Sequence, residues 1–106
     1  MIVNKYKKDD IITLKLVSSE EVITKVVEAN EDSFIVAKPM MLIHTPKGVA
    51  MSQFLMMQDI DDTIVLPMSQ IVAVTKANSV ASSQYSQTIS SIKVPTPEEK
   101  SSIITN

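Results

Sequence analysis

Few residues of this chain could do chemistry, and their types narrow that chemistry further. His44 is the sole histidine and there is no cysteine. A two-imidazole metal pair, a thiolate site and a cysteine nucleophile are therefore out of reach. In the stretch His44-Thr45-Pro46 the imidazole reads as a loop residue and not a general base. Asp59, Asp61 and Asp62 have the opening spacing of a calcium loop, but Ile64 and Gln70 stand where its central glycine and distal glutamate belong. That cluster reads as a solvated turn. Glu20 and Glu21 are adjacent, so on a strand they project to opposite faces and cannot share acid–base work. Gly48 is the only glycine, which excludes a glycine-rich phosphate loop, and no serine sits in a Gly-x-Ser-x-Gly elbow. What is left is the run Lys5, Tyr6, Lys7, Lys8. Its lysines could attract a phosphate backbone and its aromatic ring could stack a base, although Asp9 and Asp10 offset the charge at once. These residues point to a binding protein and not an enzyme, with no metal and no cofactor.

Charge and composition agree. Ten basic residues, all lysine, face twelve carboxylates, for a formal charge of −2. Without arginine there is no planar fork for bidentate contacts to guanine or phosphate, so sequence-specific duplex readout is not expected. The 106 residues amount to one domain. Hydrophobic residues make up 44%, with seven methionines but only four aromatics, which describes an aliphatic, adaptable core. The start of the chain turns charged within five residues, and no stretch approaches the ~18 apolar residues of a membrane span. The expectation is a soluble, unexported, cytoplasmic protein without membrane contact.

The elements that must position these residues are strands. "IITLKLV" at 11–17 alternates apolar and polar, and "EVITKVVEA" at 21–29 is β-branched, with Val22, Thr24 and Val26 on one face. The facing blurs at Val26-Val27, as where a strand bends and both faces are buried. A third strand runs from 33 to about Ile43, with Phe34, Ile35 and Val36 as core candidates. Pro46 and Gly48 shape a hairpin loop, and "VAMSQFLMM" returns as a fourth strand at 49–57. "TIVL" at 63–66 is a short extension, Pro67-Met68-Ser69 a 3₁₀ link, and "QIVAVTK" at 70–76 the fifth strand. Beyond Ala77 the composition turns to Ser, Thr and Gln. Ala77, Ala81, Tyr85, Thr88 or Ile89, and Ile92 nonetheless recur at helical spacing and predict a helix over 79–91. "TPEE" at 96–99 has the form of a capping box and predicts a further turn or two near 97–103. The fold class is mainly β: a small five-stranded, strongly bent antiparallel sheet or barrel over residues 1–76, with a C-terminal helical extension over 77–106.

Over residues 11–76 this order resembles the Sm-like (LSm/Hfq) family, phage-type (cyanophage-like) members above all. "TKVVEANEDSFIVA" stands where the family's first motif runs, with Thr24 on its glycine position, Val26 on an apolar one, Asn30 on the turn aspartate and Ile35 on the next apolar residue. "TIVLPMSQIVAV" at 63–74 is similar to its second motif. The resemblance implies a homo-oligomeric ring of about five to seven subunits, closed by pairing the fourth strand of one subunit with the fifth of the next. Met51, Phe54 and Met56 on one side and Ile71, Val72 and Val74 on the other would then line the interface. It also implies single-stranded RNA as a ligand, in the host cytoplasm if the chain is phage-encoded. The family's RNA pocket uses an asparagine and an Arg-Gly pair; here Phe34 and Pro67-Met68 take those places, and the Hfq-type Lys-His pair is absent. The residues therefore leave two readings: a ring that binds RNA with low sequence specificity, and a ring that is a protein-interaction scaffold, docking partners through residues 77–106.

Overall fold

The computed structural model describes residues 5–55, 59 and 61–93. The fold is mainly β, with six antiparallel strands and one helix among the described residues: β1 (Ile11–Leu16), β2 (Glu21–Ala29), β3 (Ser33–Thr45), β4 (Gly48–Gln53), β5 (Thr63–Pro67), β6 (Ile71–Lys76) and α1 (Ser79–Lys93). A 3₁₀ turn at Met68–Gln70 joins β5 to β6. The predicted turn near 97–103 and the predicted interface residue Met56 lie outside the described residues.

The strands form one sheet in the order β4-β3-β2-β1-β6, with β5 also paired to β3. The sheet thus has six strands, not five. The segment "TIVL" is a strand in its own right because β3 is long enough to serve two neighbours. Its first half, Ser33 to Ala37, pairs with β5, and its second half, Met40 to Thr45, pairs with β4. The hairpin between β3 and β4 closes over Pro46-Lys47 with Gly48 at φ +124°, a backbone that favours glycine. The Thr45 hydroxyl donates to the Gly48 carbonyl at 2.7 Å.

The sharpest departure from regular sheet is where β2 and β3 cross. Lys38 sits at φ +52°, and the register slips so that Thr24 alone opposes Lys38 and Pro39. Such a bulge bends the strand and takes carbonyls out of the ladder. Two hydroxyls answer them. Thr24, fully buried, donates to the Ala37 carbonyl at 2.7 Å. Tyr85 of α1 donates to the Lys38 carbonyl at 2.7 Å and lies 3.2 Å from that of Ala37. The bend predicted at Val26-Val27 therefore begins earlier, at Thr24, and a second register shift between Val26 and Glu28 continues it.

Two cores follow from this bend. One face of the sheet buries Ile12, Leu14, Leu16, Val22, Val26, Phe34, Val36 and Leu66. On the other face Ile23 and Met40 are covered by Tyr85 and Ile89 of α1. Val22, Ile23 and Thr24 are buried in succession, which only a strand packed on both sides allows. The four-residue rhythm Ala77, Ala81, Tyr85, Ile89 is the stripe by which the helix packs. Asn78 caps its start, accepting the Ala81 N–H on its side-chain oxygen at 2.8 Å.

Candidate functional site

Among the described residues, the sets of polar side chains singled out in the sequence lie apart from one another. His44 is exposed near the tip of the β3–β4 hairpin. Asp59 and Asp61 are exposed in a turn where the Asp61 N–H donates to the Asp59 carboxylate at 3.1 Å. Among the described residues no three acidic or histidine side chains converge as a metal site would require. Glu20 accepts a hydrogen bond from the Ser18 hydroxyl, which holds its carboxyl below the ordinary range, and Glu21 stands exposed on β2.

The basic run divides into two parts with different roles. Lys5, Lys7 and Lys8 are exposed. The segment that carries them is pinned to β2 by two main-chain bonds, Asp9 N–H to the Val26 carbonyl at 2.7 Å and Val26 N–H to the Asp10 carbonyl at 2.8 Å. Asp10 accepts the Lys7 N–H at 2.9 Å and lies 3.8 Å from the Lys76 ammonium. Tyr6 is not on the surface with the lysines. It is 5% exposed, packs edge-to-face on Phe34 with ring centroids 5.9 Å apart, and donates its hydroxyl to the Val74 carbonyl at 3.3 Å. A ring so placed fills the core and is not presented for stacking on a base. It also measures the bend of the sheet, since it touches β3 and β6 although β2 and β1 lie between them in the strand order.

The ends of the sheet are the more distinctive surface. Among the described residues, no strand pairs with the outer edge of β6, β4 or β5. The Ala77 N–H donates to the Ile11 carbonyl. The alternation of an antiparallel pair then turns the main-chain groups of Val74 and Lys76 away from β1. In the same way the Met68 N–H donates to the Asp32 carbonyl, so Thr63, Val65 and Pro67 turn theirs away from β3. Pro67, which has no N–H, thereby costs the β3–β5 ladder nothing, and its position marks β5 as an edge strand. Each end carries an exposed valine: Val65 of β5 is 60% exposed and Val72 of β6 is 66% exposed.

The other apolar residues expected at an interface are placed differently. Phe54, Ile71 and Val74 are partly buried against the first core, and Met51 against the second. Their side chains pack within the chain; Val72 alone among them is largely exposed. Val65 was not singled out in the sequence, though the trailing Pro67 in "TIVLP" was a signal of an edge. Set beside known proteins, the chain matches no protein-family model and no curated protein.

Proposed function

We propose that the chain is an Sm-like subunit that closes with copies of itself into a ring, the β4/β5 side of one sheet pairing with β6 of the next. The carrying observation is that the two ends of one sheet each present a strand edge and an exposed valine, Val65 and Val72. Natural proteins cover or blunt such edges, and two different edges on one subunit make a head-to-tail contact, which rotation can close. The sequence resemblance supports the same assembly. In this reading Lys5, Lys7 and Lys8 of each subunit attract single-stranded RNA with low sequence specificity.

A second reading, a ring that docks proteins and not RNA, is favoured by one observation: the only aromatic in the basic run is buried. The first experiment is absolute mass by light scattering on a sizing column at two salt concentrations. A mass several times 11.7 kDa that salt does not change supports the ring, and the mass of a single chain overturns it. Retention of U- or A-rich oligonucleotides that weakens with salt and disappears when the three lysines become alanine supports the RNA reading. Intact assembly without retention leaves the scaffold.

A further inference from the structure

We propose that α1 is a releasable strap: a helix that folds only against the sheet and lets go as one unit, uncovering the apolar face beneath it. Three observations converge on this, none of which depends on the ring.

The first is that α1 has little helical stability of its own. Six of its fifteen residues are serine and one is threonine, and its first turn carries no acidic residue. Serine and threonine are poorer helix formers than alanine because their hydroxyls compete for the backbone. That competition is visible here: Thr88 donates to the Gln84 carbonyl at 2.8 Å and Ser91 to that of Thr88 at 3.0 Å. Even alanine-rich helices of about 12–15 residues are marginal alone in water.

The second is how narrow its hold is. Tyr85 and Ile89 are the only buried side chains among the described ones of the helix, with Ala81 partly buried beside them. Among its described side chains, the polar contact that reaches the sheet is the Tyr85 hydroxyl on the bulge of β3. The helix is entered from β6 through Ala77 and Asn78, so its release asks no strand to move.

The third is what lies underneath. Ile23 and Met40 are sealed by Tyr85 and Ile89, with Ile11, Leu42 and Met51 packed around them. Release would open an apolar patch across β1 to β4 while the first core, on the opposite face, stays closed. Elements that open at low cost in this way are those available to a switch.

Native-state hydrogen exchange on the full chain, across low urea concentrations, tests the proposal. The amides of residues 82–91 are expected to exchange through one shared opening, well before those of β2 and β3. Replacing the exposed Ser83, Ser86 and Ser90 together with alanine touches no contact with the sheet and raises helix propensity. It should slow exchange in α1 about tenfold and leave β2 and β3 unchanged. Tyr85→Phe should speed exchange in α1 by roughly 10- to 100-fold. Exchange of α1 only together with β2 and β3, or no response of α1 to the triple substitution, overturns the strap.

Discussion

The hydroxyl of Tyr85 donates to the carbonyl of Lys38 across 47 positions of sequence, at 2.7 Å. It ties α1 to the bulge where the register of β2 against β3 first slips. Lys38 occupies a left-handed backbone conformation, and its carbonyl, turned out of the ladder, accepts from the hydroxyl of a fully buried ring. Tyr85→Phe keeps the ring and leaves that carbonyl unanswered. The cost should be about 1–3 kcal/mol, read as a lower midpoint of urea unfolding with an unchanged slope.

The same burial makes stability depend on pH in the alkaline range. Desolvation pushes the Tyr85 phenol well above its ordinary value. The unfolded chain releases that proton near pH ~10 while the folded chain holds it. The neutral ring's contribution is therefore complete below about pH 10 and is lost as pH rises toward the higher folded value, with a slope of up to ~1.4 kcal/mol per pH unit. Every other ionisable group is common to the two proteins, so the difference between wild type and Tyr85→Phe isolates this one. Unfolding midpoints from pH 8 to 11 should converge as pH rises, and parallel curves would refute it.

Thr24 and Tyr85 answer neighbouring carbonyls of the same bulge and should behave as a pair. Thr24→Val conserves shape and removes the donor to Ala37, at a cost of about 1–3 kcal/mol. Because the Tyr85 hydroxyl also lies 3.2 Å from the Ala37 carbonyl, it can shift toward the vacancy. A double-substitution cycle should show a coupling energy of about 0.5 kcal/mol or more. Additive costs would mean that the two hydroxyls act independently.

Strand positions and the helix were legible in the sequence because they rest on period and punctuation. Alternation marked β1, Pro46 and Gly48 marked the hairpin, and Ala77, Ala81, Tyr85 and Ile89 marked the packed face of α1 despite its serines. What was hidden depends on distant partners. Nothing local announces a positive φ at a lysine, so the bulge at Lys38 was invisible and the bend was expected a few residues late. Tyr6, set among lysines, reads as surface until Phe34 and Val74 are brought to it. The same holds for Phe54 and Met51, whose apolar character fits an interface and a core equally well. Only the folded chain distinguishes them from Val65 and Val72.

The N-terminal run should divide under substitution as it divides in space. Changing Lys5, Lys7 and Lys8 together to alanine removes exposed charge and should shift stability by less than about 1 kcal/mol, while weakening any RNA retention. Tyr6→Ala empties a core position and should cost about 3–5 kcal/mol. Urea unfolding of the two variants should separate them clearly. Equal, small losses would mean that the ring of Tyr6 is not held against Phe34.

The strand edges give the decisive test of assembly. Val65→Lys and Val72→Lys place charge on exposed edge positions, the device by which natural sheets refuse further strands. Val65→Pro goes further, since the N–H it removes faces away from β3 and the internal ladder keeps its bonds. Each variant should retain the circular dichroism of the folded sheet and elute with the mass of one chain, 11.7 kDa, where the wild type elutes as a multiple. A wild type already at that mass would end the ring reading. A wild-type ring that survives all three substitutions would instead move the interface off these edges, to surfaces that neither valine touches.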